Sequence, residues 1–527
     1  MTKDAPAFAS QRPYQVHYGA SSNISLVNHL FQYSNTRFGG DLPIFQVDDF
    51  SGYLGENSAE TVETAMAQDN CQKSIFPVDE LPLSLATEIL ERFLAVHQFL
   101  VPLQSPKALR GDLRVFYDPE SRSALSNVRR RALLLVLAIG SLTTIHHRLA
   151  NKLILEFNQS TVPSDDNLTT ISIEIDCLLA CYYTEKGFYN NAYLSIGSAI
   201  RKVFSAGLHR DPPQGSRSDL EIEEQRNLVW VLYNFESWIC VHLGRPSSFT
   251  AVQLAVPLPK DPFFLALVRL SDIMAKCSNE IYIPTKGSLL PMWKSAVSLM
   301  SELHKYEDKV IATLGFGLHH RSQLGELDAR QTILTTLYLH TIILVFRPFF
   351  IFSGKLKAQQ VLSEYSHDSS PTNPPWLDKA CDYVLDATKR LVNYIFIAMS
   401  SNQTVKDMRY NHVFLENCCA VLSYDILHDP NKMSANVPLI TKSLLCLSQM
   451  RPGDSIQRII TSFQNLLEWI NKGNSWSDTG STEWLSLNDL NRSLEDCASP
   501  VIHDPSTWHH RKETIELLDD ALRRVLF

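Results

Sequence analysis

The residues best able to do chemistry are two adjacent histidines, His146-His147, two acid pairs, Asp48-Asp49 and Asp165-Asp166, and the dipeptide His209-Arg210. Paired carboxylates or histidines could ligate a metal. Neither acid pair has a further carboxylate at a helical offset, so both read as solvated loop acids. His146-His147 follows an apolar run and precedes Arg148, which reads as a polar helix boundary. His209 with Arg210 could bind or polarise a small anion; a structural hydrogen bond in a loop between helices fits the same residues. The glycine motifs are incomplete. Gly354-Lys355 has Phe349 where a phosphate loop needs its first glycine, and Gly315-Phe316-Gly317 lacks a third glycine. Gly19-Ala20-Ser21 has Asn23 where a nucleophile elbow closes with glycine. No catalytic residue and no metal ligand is assigned, and the chain does not read as an enzyme.

Ten cysteines are scattered along the chain. Cys177 and Cys181 lie one helical turn apart, and Cys418 and Cys419 are adjacent, but none forms the close pairs of a structural zinc site. They read as reduced, buried thiols of an intracellular protein. The formal net charge of -8 argues against a tight, independent grip on a phosphate backbone. Residues Met1 to Arg12 contain no apolar stretch of the secretory kind. The apolar run Ala132 to Leu142 is too short to span a bilayer, and the run Gln331 to Phe350 is broken by His340 and Arg347. The latter reads as a buried core helix, and no membrane role is expected.

Helices must position these residues, because apolar side chains recur at three- and four-residue spacing over most of the chain. Leu90, Phe93, Leu94 and His97 trace one such face between Pro82 and Pro102. Ala132 to Leu142 is apolar all round, as a helix buried on every side must be. Gly207 and Gly244 stand where helices should stop, and Ser218 with Glu221 fits a capping box opening the helix between them. Further helices are expected near residues 265–282, 290–303, 332–346, 380–399, 413–427, 440–447 and 456–470, with a last one opened by Asp504-Pro505. The expected fold is all-α: a large multi-helix bundle with an irregular N-terminal segment. Its divisions are 1–78, irregular; 79–470, the helical body with a loop near 355–376; and 471–527, a linker and C-terminal helix.

Several segments together resemble the fungal-specific transcription factor domain, the middle homology region of zinc-binuclear-cluster (Zn2Cys6) regulators. Gly207-Leu208-His209-Arg210-Asp211 matches the family's GLHRD. Arg226, Trp230, Leu232 and Tyr233 follow as in RRxWWxLY, then Leu243-Gly244-Arg245-Pro246 as in LGRP, then Val256-Pro257-Leu258-Pro259. Val268 to Tyr282 and Leu337 to Phe349, ending in Arg347-Pro348-Phe349, resemble two of its helices. Tyr18-Gly19-Ala20-Ser21-Ser22 resembles the YxGxSS element that opens the region. The resemblance runs from about Tyr18 to Ile470 and rests on shared order and spacing.

This resemblance implies a helical regulatory region acting in transcription, with a nuclear location (the cytoplasm being the alternative). It implies zinc and DNA binding only by association, because the family's six-cysteine cluster has no counterpart here. Either the protein lacks that module or the sequence starts downstream of it. No cofactor is therefore expected in this chain, and specific DNA reading is assigned to no residue. The implied partners are another transcription regulator, the transcription machinery, or a small-molecule effector. The residues Gly207, His209, Arg210, Arg226, Trp230, Tyr233, Gly244, Arg245, Pro246, Arg347 and Pro348 are read as a structural fold signature. The alternative is a helical small-molecule-binding protein or enzyme with polar groups converging near His209-Arg210.

Overall fold

Serine, threonine or aspartate opens five of the helices by accepting a backbone N–H in the first turn: Ser105, Ser126, Thr169, Ser218 and Asp261. The computed structural model describes residues 17–38, 81–121, 124–160, 169–212, 218–283, 289–318, 327–363, 374–451 and 454–474. Among them are sixteen α-helices and no strand; Arg210 and Ala255 form an isolated bridge. The all-α expectation holds.

In chain order the helices are α1 (Asn23–Phe38), α2 (Leu83–Val96), α3 (Pro106–Tyr117), α4 (Asn127–Leu142), α5 (Leu149–Gln159) and α6 (Thr170–Lys186). Then come α7 (Tyr189–Ser205), α8 (Asp219–Leu243), α9 (Pro262–Cys277), α10 (Leu289–Leu314) and α11 (Ala329–Ser363). Last are α12 (Pro375–Ser401), α13 (Gln403–Asp407), α14 (Asn411–His428), α15 (Met433–Gln449) and α16 (Asp454–Asn474). The chain forms two compact units, Met1–Leu467 and Glu468–Phe527; the described part of the second is the end of α16. The helix expected from Asp504 lies outside the described residues.

Within the first unit neighbours in sequence pack against each other, α6 on α7 and α11 on α12, while α4 sits among α2, α5 and α6. Two helices form the centre. Every residue of α14 from Asn411 to Leu427 is buried. The segment Ala329–Lys357 of α11 is long and apolar enough to cross a membrane, and its most apolar stretch is wholly enclosed by protein. At one side of α11, Trp293, Phe346, Phe349 and Trp376 pack ring against ring.

Three stretches differ from expectation. Within the segment expected to be irregular, residues 23–38 are helical, because Leu26, Val27 and Leu30 bury against the core while the polar side chains between them are also buried. Residues 355–363, expected as loop, continue α11. The same helix passes Pro348 without stopping. Beyond Cys277 the chain makes one wide π turn, Ser278–Tyr282.

Candidate functional site

Gly244 closes α8 in the left-handed conformation, with φ 67°. The short segment before α1, His17 to Ser22, lies across that turn. The Gly19 N–H donates to the Leu243 carbonyl at 3.0 Å, and the Ser21 hydroxyl donates to the Val241 carbonyl at 2.8 Å. The backbones touch so closely that neither glycine tolerates a side chain. A Cβ on Gly244 would stand 2.5 Å from the Gly19 Cα and carbonyl carbon, and one on Gly19 would fall onto the Gly244 carbonyl. Arg245, next in the turn, donates from Nε to the His17 carbonyl at 3.0 Å and from Nη1 to the Asn190 side chain at 2.9 Å. Its guanidinium also lies over the rings of Tyr18 and Tyr193.

Arg347 grips the same segment from α11. It is fully buried and donates from Nη2 to the carbonyls of Ala20 and Ser21, and from Nη1 to Asn417 Oδ1 at 3.5 Å. Among the described residues its hydrogen-bond partners are neutral oxygens, and its planar fork spans oxygens from two elements at once. Its charge also lies over the Tyr282 ring, 5.8 Å from the centroid. Tyr282 has a second task. Proline has no N–H, so Pro348 leaves the carbonyl of Leu344, four residues back, without its helical partner. The Tyr282 hydroxyl donates to that carbonyl at 2.7 Å. The π turn after α9 thereby lets α11 continue through its proline.

A buried polar layer backs this junction. Asn23 donates to the Val413 carbonyl at 3.1 Å, tying α1 to α14. Asn417 Nδ2 donates to His340 Nδ1 at 3.2 Å. Burial lowers His340 to about 3, with the nearby Arg347 charge adding to the effect, so its ring is neutral and accepts. His412 Nδ1 lies 2.6 Å from the Arg409 carbonyl and can only donate to it. Burial holds His412 at about 4, so Nε2 carries a lone pair, and the Tyr189 hydroxyl donates to it at 2.9 Å. His242, lowered to about 3 chiefly by burial, stacks flat on Trp238 with 5.5 Å between centroids.

The remaining signature residues form a second group. Gly207, with φ 71°, ends α7. Arg226 makes a paired contact to the Asp211 carboxylate at 2.8 and 2.7 Å, which holds that carboxyl below its usual range. Trp230 donates from its indole N–H to the Pro257 carbonyl at 2.7 Å, and its ring meets the buried Tyr233 edge-on. The 207–211 loop pairs with the chain at Ala255: the Ala255 N–H donates to His209 and the Asp211 N–H to Ala255, both at 3.0 Å. His209 rests on the Phe204 ring, and Arg210 is exposed. The Pro246 carbonyl accepts from Tyr193 at 3.4 Å. Gln225 Nε2 donates to the Leu208 and Arg210 carbonyls at 3.4 and 3.5 Å, beside the Arg226–Asp211 pair.

The zinc cluster that the resemblance implies does not fit these residues. Among the described residues no group of three or more histidine, cysteine or acidic side chains could hold a metal ion. Burial pushes the thiols of Cys177, Cys181, Cys240, Cys277, Cys418, Cys419 and Cys446 upward, away from the thiolate a metal needs.

The motifs are visible in residue order, but their meeting is not. The Tyr18, Gly244 and Arg347 elements converge from far apart in the chain. Tyr282, Asn23 and His340 stand out in residue order only for other reasons, and His412 not at all; none reads there as part of a site. Of these only Tyr282 left a local signal, the unpaired carbonyl four residues before Pro348.

Residues 116–266 match the family model of the fungal specific transcription factor domain. The lactose regulatory protein LAC9 of Kluyveromyces lactis is 28% identical over 31% of this chain and 20% of its own length. An ABC-transporter-regulating transcription factor of Aspergillus fumigatus is 24% identical over 29% and 18%, and activator of stress genes 1 of Saccharomyces cerevisiae 23% over 36% and 22%. The chain thus spans about a fifth of the length of the curated relatives it matches. No solved structure matches it significantly. Over residues 116–266, which hold the Gly207, Arg226 and Gly244 motifs, the chain is similar to the fungal specific transcription factor domain.

Proposed function

We propose that this chain is a regulatory body of fungal transcription control, acting in the nucleus through protein partners. The observation that carries the reading is the domain match together with the meeting of its opening element, the Gly244 turn and Arg347 at one junction. Such a junction suits a regulator. It joins the segment leading into α1 to two core helices, so a shift in either helix alters how that segment is held. A small molecule or partner that prefers one arrangement would bias it. The partners proposed are a second transcription regulator or a component of the transcription machinery. No catalytic step is assigned to any side chain.

Tethering tests the reading. The full chain is fused to a heterologous DNA-binding module upstream of a reporter gene in a fungal host, and its partners are recovered by affinity purification. The reading expects a changed reporter output and recovery of a transcription regulator. Output equal to the bare module, with no such partner recovered, overturns it.

A further inference from the structure

Of the large apolar side chains among the described residues, Ile145 and Leu220 stand furthest out, each 70% exposed. A single exposed aliphatic side chain is ordinary on a protein surface. These two differ in that their surroundings carry opposite charge.

Ile145 is the tip of the turn between α4 and α5, and that turn is fixed by its own side chains. The Thr143 hydroxyl donates to the Gly140 carbonyl at 2.8 Å and the Thr144 hydroxyl to the Ser141 carbonyl at 2.9 Å, while Thr144 Oγ1 accepts the His146 N–H at 3.0 Å. Cations gather at the turn. Arg148, three residues beyond Ile145, is exposed. Lys186 reaches the first turn of α5, where it donates to Asn151 Oδ1 at 3.5 Å. Burial lowers His147 from its ordinary value, and the Arg148, Arg409 and Lys186 charges lower it further, so the field at this turn is positive.

Leu220 stands in the first turn of α8, which the capping box holds: the Glu221 N–H donates to Ser218 Oγ at 3.3 Å and the Ser218 N–H to Glu221 Oε2 at 2.9 Å. Its neighbours are acidic. Asp219 precedes it, and Glu224, exposed and one helical turn on, shares its face of the helix. Lys260 and Arg226 pair with Glu223, so Asp219 and Glu224 carry the surplus negative charge. Since Ile145 and Leu220 are both 70% exposed, they do not cover each other within one chain.

We propose that the α4–α5 turn of one copy docks on the first turn of α8 of a second copy, and reciprocally, so that two chains close into a twofold dimer. Ile145 packs on Leu220, and Arg148 pairs with Glu224. Each chain offers both surfaces, so a twofold axis forms the contact twice and leaves neither surface over. Burial of the two aliphatic side chains supplies the attraction, and the opposite charges select this pairing over others. The contact lies apart from the Gly19–Gly244 junction and does not depend on the role in transcription.

The test is sedimentation equilibrium of the full chain at low ionic strength. A reversible dimer that weakens as salt is added is expected. Ile145→Ser and Leu220→Ser should each weaken it about tenfold or more. Ile311→Ser, at an exposed aliphatic position on α10, should leave it unchanged. Arg148→Glu and Glu224→Lys should each weaken the dimer about tenfold, and the two together should restore it, because the charges then face each other in reverse. All these positions are exposed, so the variants should melt with the parent. A chain that stays monomeric overturns the proposal. So does a dimer that survives both single charge reversals, or one whose double reversal fails to restore it. Equal loss in Ile311→Ser, or growth beyond two copies with concentration, overturns it as well, since the association is then non-specific or open-ended.

Discussion

Gly19 and Gly244 touch backbone to backbone, with the Gly19 N–H bonded to the Leu243 carbonyl and each Cα facing the space the other's side chain would need. Alanine at Gly244 meets both this contact and a left-handed φ, so it should cost about 3 kcal/mol or more in unfolding free energy. Gly19→Ala should cost a similar amount. Gly111, in mid-helix α3 with open space around it, is the control. Gly111→Ala should stabilise by up to about 1 kcal/mol. Denaturant titration of the three variants checks the set, and equal effects would refute the contact.

Arg347→Lys keeps the charge and loses the fork that reaches Ala20, Ser21 and Asn417 together. Amide exchange at Gly19 and Ser22 should accelerate by at least about tenfold, a loss of about 1.4 kcal/mol. Exchange in the middle of α12 should not change. Uniform acceleration across the chain would mean that Arg347 serves the core at large and not the segment before α1.

Tyr282 and Pro348 should behave as a coupled pair. Tyr282→Phe leaves the Leu344 carbonyl unpaired and should cost about 1–3 kcal/mol. Pro348→Ala supplies an N–H to that same carbonyl. In the Pro348→Ala background the Tyr282→Phe cost should therefore shrink by about 1 kcal/mol. Strict additivity of the two changes would contradict the shared carbonyl.

How much of this could be read from the chain alone varies with the range of each contact. The capping box at Ser218 and Glu221 and the stops at Gly207 and Gly244 are local events, and residue order displays them. Helix α1 was hidden because Ser25, Asn28 and His29 are buried beside Leu26 and Val27, which blurs the apolar stripe that marks a helix. The continuation of α11 was hidden because proline reads as a stop, and its remedy lies 62 residues away in Tyr282. The junction itself joins residues separated by 220 positions at Ser21 and Val241 and by 326 at Ser21 and Arg347. No periodicity reports a contact of that kind.

Glu185 should give the protein a recognisable pH dependence. Its folded value, about 7, lies above its ordinary value near 4.5. Its contribution to stability is thus fully present below pH 4.5 and lost as pH rises through about 7. Glu185→Gln cannot ionise. The variant should therefore gain stability relative to the parent as pH rises from 4.5 to 8, read as the difference in melting temperature. A difference that stays flat across that window would place Glu185 in contact with water.

The role proposed for this helical body is to act on transcription. The most direct measurement is reporter output from the full chain tethered to a heterologous DNA-binding module, at matched protein abundance. The account expects output that departs from the bare module and moves again in Arg347→Lys, where the segment before α1 is loosened. Output indistinguishable from the bare module for both proteins would contradict it.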